Sequence, residues 1–327
     1  MIKAVLSLFL TICLLCEVNL MSFAYESQAF EIKDLVVTRM DGNKKIRELS
    51  KQGMDRIKKS RKFSKENDVI ENVFLAFDID YKEEYLKSLE DINLSHIDSI
   101  KSETCYLKVD EFGNQEIVAE ADALKNAGAI EATNYNVSTM PRSGATNSHI
   151  TDPPEISPDG YMKQTIALLY TPNYGGTNAS VGRYVVLGLC EWLTTPSTRA
   201  VDAIALLSED LRWANTGDDL YNLIVTYSEN KYTVSTNTLT STEVTKTFDE
   251  SDVTISVSYG AYFEYDLPGN TLLTTYTDFS FFMTAVGRVH DYNNYDVQLA
   301  VGLEYVHLKN ALSINPSFSF AGGLDLS

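Results

Sequence analysis

With 327 residues, 44% of them hydrophobic and 22% charged, the chain can bury a sizeable core, and disorder throughout is excluded. Its 27 Lys+Arg stand against 45 Asp+Glu, a net charge of −18, which argues against a protein that binds nucleic acid over its whole surface. Beyond the N-terminus no apolar run is long enough to cross a membrane as a helix, so membrane contact is expected to be peripheral at most.

The first element is an export signal. Lys3 precedes an apolar run from Ala4 to Cys16, and Ser22-Phe23-Ala24 sets small residues at the two positions read for cleavage before Tyr25. Residues 1–24 therefore read as a signal peptide. Glu17 ends the run too early for an anchor, and bulky Leu15 before Cys16 argues against a lipoprotein. No apolar tail closes the chain at Ser327, and the expectation is a secreted, extracellular protein. Cys105 and Cys190 then remain. They could form one disulfide in an oxidising compartment, but two buried free thiols are the favoured reading, since a chain of this size needs no staple.

Residues 25–65 read as a basic, flexible leader. Segment 39–65 carries eleven Lys/Arg against three acids, a net of +8. A solvated leader is one reading. A surface-binding arm for lipid headgroups or wall polymers is another, with Lys44, Lys45, Arg47, Lys58, Lys59, Arg61 and Lys62 as its contacts. The third is an arm lying on the protein's own acidic body.

Residues 66–128 read as a small α+β region. Ile70, Val73, Phe74 and Phe77, then Tyr85, Leu86, Leu89 and Ile92, fall at helical spacing, and Asp78 and Asp80 break them into two short helices. An EF-hand at Asp78-Ile79-Asp80 fails, because Glu83 stands where the loop needs glycine and Leu89 where it needs glutamate. Tyr106–Asp110 and Glu116–Val118 form a hairpin around Phe112-Gly113-Asn114, and Ala119–Ala127 is a helix capped by Gly128. Residues 129–160, with Pro141, Pro153, Pro154 and Pro158, read as a linker.

Residues 161–327 turn to period two and read as a large antiparallel β-sandwich, making the fold class α+β. Strands are expected at 164–170, 183–190, 203–207, 220–228 and 232–237, then as one long strand over 254–267. The alternation returns at Phe279–Ala285, Val297–Tyr305 and Ile314–Phe320, ahead of Gly322-Gly323.

The chemistry in these elements is sparse. There is no HExxH, Cys/His cluster, GxSxG elbow or Walker loop, so the reading has no cofactor, no metal and no assigned catalytic residue. Gly175-Gly176 fits a hairpin turn, and His307 reads as a buried, hydrogen-bonded histidine. One cluster is singled out: Trp192, Pro196, Arg199 and Asp202, with Arg199 and Asp202 pairing across a tight connection under Trp192. A corner where the chain crosses between strands is favoured for it over a binding site.

The pattern W-L-x-x-P-x-x-R-x-x-D-x-I-x-L over 192–206 resembles one found in secreted, uncharacterised proteins of Gram-positive bacteria. So do the stretch Thr104–Asn114 and the closing Leu303-Glu304-Tyr305-Val306-His307. The resemblance spans roughly 66–327 and extends to geobacillin-type secreted bacteriocins. It implies no settled activity and transfers no functional residue.

The function expected is a non-enzymatic binding or antibacterial effector acting through the β-sandwich on cell-surface or wall polymers or another protein, in an oligomeric state that the sequence leaves open. The alternatives are a secreted hydrolase on a β-sandwich and a pore-forming β protein. For the latter, the Ser/Thr-rich strands of 226–258 resemble the rearranging hairpins of pore-forming toxins.

Overall fold

The computed structural model describes residues 31–60, 66–79, 82–87, 89, 97–110, 114–128, 160–171, 183–196, 201–208, 211–213, 221–249, 251–256, 260–289 and 301–307. The expected signal peptide, nearly all of the expected 129–160 linker, Gly175-Gly176, Arg61, Lys62, Arg199 and the strand expected at 314–320 lie outside them.

The chain opens with a short 3-10 turn (Ile32–Leu35), then β1 (Val37–Asp41), β2 (Lys44–Leu49) and helix α1 (Lys51–Lys59). Helices α2 (Glu66–Ala76) and α3 (Glu83–Lys87) follow, then the hairpin β3 (Ser99–Val109) and β4 (Gln115–Val118). A helix α4 runs through 120–128. Next come β5 (Gly160–Thr171), β6 (Arg183–Trp192), β7 (Val201–Leu207), β8 (Leu211–Trp213), β9 (Asn222–Thr233) and β10 (Thr238–Phe248). β11 (Thr254–Ser256), β12 (Gly260–Asp266), β13 (Thr274–Val289) and β14 (Gly302–His307) complete the series.

The fold is α+β and mostly antiparallel. A ten-stranded sheet runs β1-β2-β3-β5-β6-β13-β9-β10, with β4 on β3 and β8 on β13, and a four-stranded sheet runs β11-β12-β7-β14. The two sheets pack face to face as a sandwich. Phe281, Met283 and Ala285 of β13 and Val186 and Cys190 of β6 meet Ile204, Leu206, Phe263 and Tyr305 of the smaller sheet in one apolar cluster. Gly188 sits at this interface because a Cβ there would meet Leu303 Cδ1 at 2.7 Å and Leu206 Cδ2 at 2.9 Å.

The opposite face of the large sheet is also dry. Val185, Leu187 and Leu189 of β6, Phe282 and Val286 of β13 and Leu169 of β5 join Met54, Ile57, Val73, Phe74, Phe77 and Tyr85 from the helices. Tyr85 stacks on Phe282 with ring centroids 4.2 Å apart, and its hydroxyl hydrogen-bonds Ser280 at 2.8 Å. Helices, large sheet and small sheet therefore form three layers.

This arrangement corrects four expectations. The basic leader is folded over most of its length. Gly42, at φ 57, supplies the left-handed position of the tight turn in the β1–β2 hairpin, where Asp41 pairs with Lys44. Ser50 caps α1, accepting from Gly53 N at 3.3 Å, and β2 pairs with β3 from Lys45–Thr104 to Leu49–Ile100. The boundary between 66–128 and 161–327 does not separate two cores, because β3 pairs with β5 along all of its 11 residues. The run 254–267 is a hairpin, not one strand: Thr254 pairs with Tyr262 and Ser256 with Gly260. Alternation continues through a tight reversal, so periodicity alone cannot reveal it. Likewise 232–237 is the end of β9 plus a turn at 234–237, closed by Asn237 at φ 52.

If residues 31–60 are a structural layer, their removal uncovers Ile100, Leu169 and Val185. A chain lacking them is expected to bind a hydrophobic dye and lose its cooperative melt. A flexible leader would leave the melting curve unchanged.

Candidate functional site

The sequence cluster centres on a buried polar network. Asp202 opens β7 and pairs across strands with His307 of β14, which puts both side chains on one face. Asp202 Oδ1 lies 2.6 Å from His307 Nδ1, and each residue is 1% exposed. Tyr305, two positions earlier on the same face, donates its hydroxyl to Asp202 Oδ2. Trp192, ending β6, donates Nε1 to the Tyr305 hydroxyl at 3.0 Å and meets the His307 ring edge-on at 5.3 Å. Burial, and then the adjacent Asp202 carboxylate, push the Tyr305 hydroxyl well above its ordinary range. It therefore stays protonated and holds its role as donor.

Pro196 is buried, and Arg199 lies outside the described residues. The described partners of Asp202 are Tyr305 and His307. The sequence marked the carboxylate and the indole but not their link to residues about a hundred positions away. The available signal was the alternation placing Tyr305 and His307 on one strand face. The local structure is a corner: the chain leaves the large sheet after Trp192 and enters the small one at Val201. Thr194 Oγ1 accepts from Tyr161 N at 3.0 Å, and Gly160 leaves room where a Cβ would meet that oxygen at 2.2 Å. With Trp192, Asp202, Tyr305 and His307 all at most 5% exposed, the network staples the sheets together. Among the described residues, no three His, Cys, Asp or Glu side chains come together as a metal site.

The basic residues bear on the protein's own acids. Lys44 pairs with Glu103 at 2.8 Å, Lys45 with Glu120 at 3.0 Å and Asp78 at 3.6 Å, and Lys58 with Asp98 at 3.5 Å. Arg47, only 6% exposed, binds Asp78 and reaches the Phe77 carbonyl at 3.4 Å. Lys51 joins Lys58 on Asp98, while Lys59 faces solvent. Much of the cationic arm is thus engaged internally.

The thiols are also placed. Cys105 and Cys190 lie on β3 and β6, each in register with Gln164 of the intervening β5. Two strand spacings, about 10 Å, separate them, beyond the roughly 7 Å Cα limit for a disulfide. Burial pushes the Cys105 thiol up to about 11 and the Cys190 thiol well above its usual range.

The longest exposed strand segments are at the end of β9, β10 and β13. β9 has no buried residue beyond Tyr227, β13 none before Phe279, and β10, TLTSTEVTKTF, has none at all. Both covering layers end there, so these strands project beyond the core by about 20 Å, six residues at 3.3 Å each. A bulge at Asp278, φ 58, shifts the β13–β9 register at the root of the projection. Lys82 ties the root to the helical layer, donating to Thr226 Oγ1 at 2.7 Å and Glu243 Oε1 at 2.8 Å.

No family model and no curated protein matches the chain. Among solved structures, a similarity to vicilin from Capsicum annuum covers 80% of this chain and 86% of that one, at 6% identity and a TM-score of 0.12, which bears on neither fold nor function.

Removing the Tyr305 hydroxyl leaves Asp202 Oδ2 and Trp192 Nε1 without it. Tyr305→Phe is expected to lower stability by about 1–3 kcal/mol in urea unfolding at neutral pH. In the wild-type chain the unfolded tyrosine ionises near 10.0 while folded Tyr305 holds its proton, so stability is full below that pH and falls as pH rises above it. The variant should show a shallower alkaline decline. Cys105 and Cys190 are expected to resist a disulfide-exchange reagent at neutral pH until denaturant is added, and rapid labelling of the native chain would refute that placement.

Proposed function

We propose that the chain is a secreted, non-enzymatic protein that binds at bacterial cell surfaces, with an antibacterial outcome, through the projection formed by β9, β10 and β13. The observation that carries this reading is β10: eleven residues without a buried side chain, along one open edge of the large sheet. The Asp202–His307 pair, 1% exposed at each residue, supports a structural role for that cluster rather than a binding role. Signal-like residues 1–24 support export. A hairpin that inserts into the membrane is the second reading, favoured by the alternating Ser/Thr side chains of β10 and by its single open edge.

The test shortens the hairpin. Glu229 and Thr242 are direct partners, so residues 230–241 can be replaced by Asn-Gly, which rejoins the strands at a paired position. The expected result is loss of binding to Gram-positive cells with an almost unchanged melting temperature. Binding that survives the deletion would remove the projection from the function. Dye leakage from vesicles, lost in the same variant, would establish the inserting hairpin.

A further inference from the structure

The end of the projection concentrates exposed apolar side chains. Val234 is 66% exposed, Leu239 69% and Leu272 98%, with Tyr232 and Leu273 also open to solvent. They come from separate turns held side by side: Tyr232 N donates to the Leu273 carbonyl at 2.8 Å, and Leu239 pairs with Tyr232. Residues 232–242 and 267–277 contain no charged side chain, in a chain of net charge −18; the flanking charges are Lys231, Glu243, Asp266 and Asp278.

The turns also satisfy their own polar groups. Tyr232 donates its hydroxyl to Asn237 Oδ1, and the Thr236 and Thr238 hydroxyls lie 2.7 Å apart. Thr271 N donates to the Thr274 carbonyl at 2.8 Å, Thr274 N to Thr271 Oγ1 at 3.1 Å, and Tyr276 N to Asn270 Oδ1 at 3.0 Å. Such turns can enter an apolar medium without stranding these donors.

Resting on the surface-binding reading above, we infer that its target is the lipid bilayer: this tip inserts shallowly into the interfacial region through apolar contact rather than charge. Exposed apolar side chains without a neighbouring charge offer a polar ligand little to pair with. A tyrosine among leucines beside threonine hydroxyls suits the boundary between acyl chains and headgroups. The acidic body adds no attraction for anionic lipid, and Lys44, Lys45, Arg47, Lys51 and Lys58, five of the eleven bases of 39–65, are engaged on Glu103, Asp78, Glu120 and Asp98.

The test places tryptophan at the tip of the full chain with Leu272→Trp. Trp192 and Trp213 are 5% and 2% exposed, so the new indole reports the surface. Phosphatidylcholine vesicles are expected to shift its emission to the blue and protect it from iodide, equally at low and high salt. Adding Val234→Ser and Leu239→Ser should weaken partitioning at least about tenfold, as the loss of buried apolar side chains requires. Added anionic lipid should not improve binding. Binding through the apolar run of residues 4–16 would leave the tip indole unshifted and overturn the inference. A blue shift that appears without vesicles and grows with protein concentration would also overturn it, assigning the tip to a second copy of the chain. If the shortened hairpin still abolishes cell binding but vesicles produce no shift, the lipid target fails while the surface-binding reading stands. If shortening leaves cell binding intact, the surface-binding reading fails first.

Discussion

Strands β5, β6 and β13 carry apolar side chains on both faces, and a sheet of that kind persists in water only when both faces are covered. The small sheet covers one face. The helices cover the other, and they include α1 from the most basic stretch of the chain. Met54 and Ile57 are drawn into the same apolar cluster as Leu169 and Val185, and the lysines around them are carried to the acids of the body. Burial sets the position of this segment, and the ion pairs follow from it. Pairs such as Lys51–Asp98, largely exposed on the lysine side, add little stability of their own.

Much of the architecture was legible because period-two alternation is a local signal. It placed β5, β6, β7 and β13, and helical spacing placed α2 and α3. What alternation cannot report is which strands are neighbours, or whether a face that is polar in part is wet. Ser280 and Thr284 are polar, yet Phe282 between them and Val286 beyond them put the same face of β13 under the helices. The leader was misread for a related reason. Its charge dominated the count, while Gly42-Asn43, the Ser50 cap and the apolar set Ile46, Leu49, Met54 and Ile57 carried the fold. Trp192 and Asp202 were visible as candidates. Their joining to Tyr305 and His307 depends on the pairing of β7 with β14, which no local pattern encodes.

The molecule separates its polar investments. The Asp202 network is enclosed where the sheets meet, with its hydrogen bonds strengthened by exclusion of water. The tip of the projection has the opposite character: uncharged, exposed and internally hydrogen-bonded at its turns. Lys82 joins these regimes, holding the root of the hairpin to the helical layer through Thr226 and Glu243. Substitutions at the corner therefore act on stability, whereas substitutions at the tip leave the core untouched.

The order of strands in the large sheet also sets when the protein can become compact. β2 needs β3, β3 needs β5, and β6 remains half-paired until β13 arrives. The residues made first therefore wait for residues made near the end, and little stable structure can close before about residue 289 is available. For a chain threaded through a narrow translocation channel, such delay is an advantage. A chain exported as proposed above would stay extended during passage and collapse on the far side of the membrane.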